Sequence, residues 1–210
     1  MTIEEIREKI LTDDEFVLAE LEKVQYLYGL QRVIRSNLTR TEDIKTESVA
    51  DHIYALGVLA EYFARVEDVP DIDLEKVQTM ITWHDIDEIE TGDIVGFHKT
   101  SEHHSAEEDA IEKAIASSPV VLQESMLGTI KEYKEQQTLE ARFVKALDKI
   151  EPIFYFLNPN GKRVFEVSPA TREQHCRIKE PYIKDFPYMS RFHYVTLKVF
   201  EERGYFLPPK

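Results

Sequence analysis

The stretch Trp83-His84-Asp85-Ile86-Asp87-Glu88-Ile89-Glu90-Thr91-Gly92-Asp93 sets an imidazole beside a carboxylate and follows the pair with further acids at Asp87, Glu88, Glu90 and Asp93. An isolated amphipathic helix would carry apolar residues at several of these positions. Upstream stands a second histidine, in Ser48-Val49-Ala50-Asp51-His52, and downstream a lone aspartate, in Ala146-Leu147-Asp148-Lys149. On a helix His84 and Glu88 share a face, while Asp85 lies roughly 100° round from His84 and still reaches the same ion. His52 and Asp148 must come from other helices, so His52, His84, Asp85 and Asp148 describe one metal site inside a helical bundle. Mixed nitrogen and oxygen donors suit one divalent ion, Mn, Co, Fe, Ni or Zn, without selecting among them. Four protein ligands on an ion that prefers six leave room for water and a phosphate oxygen. A His-Asp dipeptide alone is common, and a helical histidine is more often a core residue than a ligand. The surrounding acids are what lift this pair above that background.

The rest of the chain is patterned as helix, with 7 glycines and no sustained alternation of β-branched residues, which predicts an all-α fold. Helical spacing runs from about Asp14 to Ile34, with apolar positions at Val17, Leu18, Leu21, Val24 and Leu27. A polar loop, 36–46, follows. Ser48 reads as an N-cap with Asp51 completing a capping box. The helix it opens should end near Val66 and bury Leu56, Ala60 and Phe63. Further helices are expected from about Asp73 into His84, from Ser105 to about Ala116, from Ser118-Pro119 to about Tyr133, and from Thr138 to Leu157 with Asp148 upon it. Asn158-Pro159-Asn160-Gly161 is a breaker cluster. Two last helices are expected over about Thr171–Lys184 and Tyr188–Arg203.

The chain has 210 residues, enough for one domain to bury a core unaided. With 26 basic and 40 acidic residues it carries a net charge of −14, which repels polyanions and argues against a nucleic-acid polymer as partner. Its single cysteine, Cys176, leans to a reducing, cytoplasmic setting. The N-terminus lacks the basic and apolar regions of a signal peptide. No apolar run approaches the roughly 20 residues that span a bilayer, so no membrane association is expected.

Taken in order, His52, His84-Asp85 and Asp148 resemble the H…HD…D signature of the HD-domain metal-dependent phosphohydrolases, closest to the branch of bacterial and eukaryotic 5′-deoxynucleotidases. The branch pattern is matched by Leu30-Gln31-Arg32-Val33, by Glu47-Ser48-Val49-Ala50-Asp51-His52, by His84 through Asp93, and by Asp148-Lys149. The resemblance implies an all-helical HD-type domain over 1–210, with a core at about 14–158 and a C-terminal helical extension at about 159–210. It implies a homodimer acting on a small nucleotide, most simply a deoxyribonucleoside 5′-monophosphate. Under it, His52, His84, Asp85 and Asp148 bind the metal and Glu88 orients or deprotonates the attacking water. Asp93 stands by the leaving oxygen. Arg32 neutralises the phosphate, a task for a forked guanidinium, with Arg35 as its rival. The chain departs from the pattern at Asp87, where the family often has proline, and in Phe97-His98-Lys99-Thr100 and His103-His104. Lys99, with His98, is a candidate substrate contact, against the reading of a solvated loop. His103-His104 reads as an exposed helix start more readily than as extra ligands. Lys149 is a candidate partner of Glu88 or Asp93. The aromatic run Tyr182, Phe186, Tyr188, Phe192, Tyr194 and Phe200 reads as core or dimer contact rather than base stacking. The competing functions are another HD hydrolase, of an alarmone or a different phosphomonoester, and a catalytically silent metal-binding regulator.

Overall fold

In a computed structural model the described residues are 1–35, 47–67, 69, 71–94, 101–157 and 161–208, with backbone alone at 101–104 and 167. Among them the fold is all-α, with two isolated β-bridges and no strand. The N-terminal helices are α1 (Ile3–Thr12) and α2 (Asp14–Leu27), followed by a 3-10 segment at Tyr28–Gln31. Then come α3 (Val49–Val66), α4 (Leu74–Trp83) and the single turn α5 (Glu88–Thr91). Three long helices, α6 (Ser101–Ser117), α7 (Val120–Glu135) and α8 (Leu139–Phe156), are followed by α9 (Gly161–Val167), α10 (Arg172–Arg177), α11 (Glu180–Ile183) and α12 (Pro187–Glu202).

Helix α8 is the axis of the bundle. Its buried positions, among them Phe143, Val144, Leu147, Ile150 and Ile153, fall all round its circumference, as expected of a helix enclosed by others. It packs against α3, α4, α7, α11 and α12. Each such aliphatic or aromatic side chain contributes about 1.5–3 kcal/mol on burial. Pro152 interrupts the ladder within α8, removing the amide that would otherwise bond the carbonyl of Asp148. The start of α3 is fixed by the expected box: Ser48 Oγ accepts from the Asp51 amide at 3.2 Å, and the Ser48 amide donates to Asp51 Oδ2 at 2.8 Å.

Several boundaries differ from expectation. Helix α2 stops at Leu27 rather than near Ile34 and tightens into the 3-10 segment, where Gly29 lies against α5; a Cβ there would come within 3.0 Å of Ile89 Cγ2. No side chain of α2 is buried, and Leu18 and Leu21, two of its helically spaced apolar positions, are exposed. Helix α6 begins at Ser101, a turn before Ser105. The expected helix 171–184 is divided into α10 and α11, with Pro181 in the first turn of α11. Helices α1 and α9 are additional, the first held by a capping box between Thr2 and Glu5. Among the described residues, no helix is long and apolar enough to cross a membrane.

Candidate metal centre

The His84 region is wound more tightly than an α-helix. Helix α4 ends at Trp83, and the amides of Ile86, Glu88, Ile89 and Glu90 donate to carbonyls three residues back, at 2.9–3.3 Å. Three-residue winding eclipses side chains at i and i+3, so Asp85 and Glu88 come to one side, where straight α-helical spacing would turn Asp85 away from the His84 and Glu88 face. Gly92, at φ +71°, ends the segment in a conformation that suits glycine and swings Asp93 back towards the site.

His52 comes from α3 and Asp148 from α8, and both meet the His84-Asp85 pair. The ligating atoms of His52, His84 and Asp85 all lie within 4.8 Å of one another. His84 Nε2 is 3.0 Å from Asp85 Oδ2, and His52 Nε2 is 3.5 Å from Asp148 Oδ1 and 3.9 Å from Asp85 Oδ2. Both imidazoles are held by their other nitrogen. His84 Nδ1 donates to the Ile81 carbonyl at 2.9 Å, and His52 Nδ1 to Glu151 Oε2 at 2.8 Å. A carbonyl only accepts, so Nδ1 of His84 carries the proton and Nε2 presents a lone pair. Each Nε2 is buried and has no hydrogen-bond partner. Two orphaned lone pairs facing two carboxylates, each imidazole oriented from behind by an acceptor, fit a divalent cation. The electrostatics agree. Burial and Arg35 disfavour charge on His52, yet Asp148 and Glu151 prevail and raise its pKa to about 9, so positive charge is stabilised at this point. Burial opposes the charge of Asp85 and Asp148 as well. His84 nevertheless holds Asp85 low, and Lys149 and Lys145 hold Asp148 well below the usual carboxylate range.

Asp85 and Asp148 lie at one end of a cavity of about 460 Å³ that also touches Arg35, Glu88 and Asp93, with His52 and His84 buried behind them. The amide of Arg35 donates to the Glu47 carbonyl at 3.1 Å and that of Val49 to the Val33 carbonyl at 3.0 Å, a two-bond antiparallel clasp across the ends of 36–46. The clasp turns Arg35 inward, 3.7 Å from Glu47 and 3.9 Å from Asp93. Arg32, three residues earlier, is exposed and lies off the cavity wall. Of the two arginines, it is therefore Arg35 that lines the cavity. Glu88 is buried, and its Oε2 has no hydrogen-bond partner. Burial, reinforced by Asp85 and Asp93, pushes its carboxyl well above the ordinary range.

Other expectations fall differently. Lys149 pairs with Asp148 at 3.0 Å rather than with Glu88 or Asp93. Lys99 and His98 lie outside the described residues, as do the side chains of His103 and His104. Phe186 and Phe200 are core residues and Phe192 packs upon the core, whereas Tyr182 lines the cavity. Several residues were not anticipated. Glu151 buttresses His52, and Lys145 lies 3.3 Å from Asp148. Lys179 donates to the Lys149 carbonyl at 2.6 Å, and burial drops its pKa to about 7. Glu151 and Lys145 each stand three residues from Asp148, a spacing that shares its helix face and so was readable in the sequence.

The comparisons with known proteins agree with this geometry. Over 126 residues the chain is 32% identical to the 5′-deoxynucleotidase HDDC2 of Bos taurus, covering 59% of this chain and 60% of that protein. The Xenopus laevis protein of the same name is 31% identical over 158 residues, covering 71% and 77%. The chain thus spans about three-fifths of the Bos taurus relative and rather more of the Xenopus one. A crystal structure of a predicted metal-dependent phosphohydrolase from Magnetospirillum magnetotacticum MS-1 superposes with a TM-score of 0.78 at 22% identity, covering 91% of this chain and 96% of that one. The HD domain family itself matches residues 28–189, from the 3-10 segment before the arginines to the start of α12. Its span takes in every residue of the centre, and the chain belongs to the HD-domain family.

Proposed function

We propose that this protein is a metal-dependent phosphomonoesterase of small nucleotides, a 5′-deoxynucleotidase. The observation that carries the reading is the pair of buried, unpartnered Nε2 atoms of His52 and His84 set against Asp85 and Asp148, two carboxylates that line one cavity with Arg35 and Glu88. Related proteins named 5′-deoxynucleotidase support it. His52, His84, Asp85 and Asp148 would hold a divalent ion, which would supply an acidified water and offset phosphoryl charge. Which of Mn, Co, Fe, Ni and Zn serves best is read by reconstituting the protein with each.

The chain's own residues supply the remainder. Arg35, fixed by its clasp, presents a fork of N–H donors to the phosphate and stabilises charge on its equatorial oxygens. Its Nε is buried with no hydrogen-bond partner in the protein. Glu88 offers a buried carboxylate oxygen to the attacking water and directs its proton away. Asp93, beside Arg35, holds the departing sugar oxygen. Arg32 is left outside the phosphate site, and Lys99 stays a candidate for its rim.

Two measurements test the reading. Release of phosphate from deoxyribonucleoside 5′-monophosphates in preference to ribonucleotides is expected, and release of pyrophosphate from an alarmone would overturn it. Glu88→Gln should keep the metal and lower kcat by roughly a hundredfold or more, the usual contribution of a positioned base. Unchanged turnover in that variant removes Glu88 from the mechanism and favours the silent regulator.

We infer further that the molecule is a cytoplasmic homodimer. Tyr54, Val58 and Tyr62 are spaced four apart on α3, and all are exposed, at 76%, 51% and 47%. They form a stripe on the face turned away from the core. Val58→Glu should convert a dimer into monomers in sedimentation equilibrium, and a monomeric wild type at micromolar concentration overturns the inference. The cytoplasmic setting rests on the single cysteine, Cys176, which is buried and whose thiol burial pushes up to about 11.

A further inference from the structure

The cavity is larger than a phosphate needs. From the metal centre it continues along α8, past Phe156, to a second wall supplied by α9, α10 and α11, where Val164, Phe165 and Ile178 give apolar surface and His175 a polar group. At about 460 Å³ it falls in the range of small-molecule sites.

His175 is the anomaly of that wall. It is 4% exposed, and neither ring nitrogen has a hydrogen-bond partner. Its ring stacks on His193 at 5.6 Å and 18° and meets Phe200 and Phe206 edge-on at 6.1 and 5.6 Å. Phenylalanine would pack equally well in such a cage and would leave no polar atom unsatisfied, a condition that is costly in a protein interior. Burial, with Lys179 and His193 nearby, also keeps the imidazole neutral. A neutral imidazole has one donor and one acceptor and can exchange them between its nitrogens.

We propose that the compartment walled by α9, α10 and α11 receives the nucleobase of the substrate, and that His175 hydrogen-bonds the edge of that base. The inference rests on the nucleotidase reading and adds to it a base-binding residue. A nucleobase has two apolar faces and a polar edge, matching apolar surface that carries, beside Ser168 and Lys179, a buried polar ring with no partner in the protein. Because the imidazole offers either a proton or a lone pair, one residue serves all four bases, whose edges all carry both donors and acceptors. A phosphomonoester anchored at Arg35 and the metal centre projects its sugar and base along the same cavity.

The test compares wild type with His175→Phe, which keeps the ring packing and removes both nitrogens, and His175→Gln, which restores a donor and an acceptor. The measured quantity is kcat/KM for each deoxyribonucleoside 5′-monophosphate divided by kcat/KM for deoxyribose 5-phosphate, which has no base. His175→Phe should lower that ratio about tenfold for all four nucleotides, carried mainly by KM, and His175→Gln should recover part of it. Equilibrium binding of deoxynucleosides to metal-free protein should weaken by the same factor. An unchanged ratio in a folded His175→Phe protein, or an equal loss with deoxyribose 5-phosphate, overturns the proposal. Should the wild type hydrolyse no nucleotide, the nucleotidase reading fails, while the binding measurement still decides the base compartment.

Discussion

Replacing His84 with alanine should leave the purified protein with less than about a tenth of an equivalent of divalent metal and lower phosphatase turnover by roughly a thousandfold or more. The ring sits at the meeting point of the donor atoms, 3.0 Å from Asp85 Oδ2, with its lone pair oriented by the Ile81 carbonyl. A bound ion contributes several kcal/mol to a phosphoryl transition state, and each 1.36 kcal/mol is a factor of ten. Elemental analysis and turnover should fall together. The fold should survive, because the core of α4 is built by Val77, Met80 and Ile81 rather than by His84. A variant that keeps a full equivalent of metal would remove His84 from the ligand set. Glu151→Gln probes the same centre from behind: it keeps an acceptor for His52 Nδ1 but loses the charge, so the loss in metal affinity should be smaller, about 10–100-fold.

What could be read from the sequence and what could not divide along physical lines. The His84 to Asp93 stretch is local, so its donors and its helical setting follow from composition and spacing. Its tighter winding does not, because apolar spacing does not distinguish three-residue from four-residue hydrogen bonding over so short a stretch. The ordered set of His52, His84, Asp85 and Asp148 was legible as a set, since side chains on separate helices needed only a bundle to bring them together. Which of Arg32 and Arg35 lines the cavity was not. Two backbone hydrogen bonds join Val33 to Val49 and Arg35 to Glu47 beside that wall, and backbone pairing across a loop leaves no mark in side-chain periodicity. The distal wall was equally hidden. Lys179 and His175 lie where periodicity suggests one continuous helix, and it is the break between α10 and α11 that lets Lys179 reach the Lys149 carbonyl.

The two arginines give the second large effect. Arg35→Met should reduce kcat/KM for a nucleotide by roughly a hundredfold to a thousandfold, and Arg32→Ala should leave it within about twofold of wild type. A guanidinium that pairs with developing phosphoryl charge in a water-poor site is worth about 3–4 kcal/mol, and a donor exposed to solvent is worth little. Arg35→Lys should recover only part of the loss, because an ammonium keeps the charge and loses the planar fork. Arg35 also compensates buried acids. Glu47 and Asp93 lie within 4 Å of it, and burial with Glu151 nearby already raises the Glu47 carboxyl to about 7. Removing the cation leaves those carboxylates without their counter-charge, so the Glu47 pKa should rise further in Arg35→Met. The sign follows from linkage. A carboxyl whose folded pKa exceeds its unfolded value binds protons in the native state that the unfolded chain has already released. Its contribution to stability is therefore lost as pH rises from the unfolded value, near 4.5, through the folded one, about 7. Arg35→Met should accordingly melt well below wild type at pH 8 and close to it at pH 5, whereas Arg32→Ala should track wild type at both. Were Arg32→Ala the variant that lost activity, phosphate would have to enter from the face of the 3-10 segment, and the clasp that turns Arg35 inward would serve packing alone.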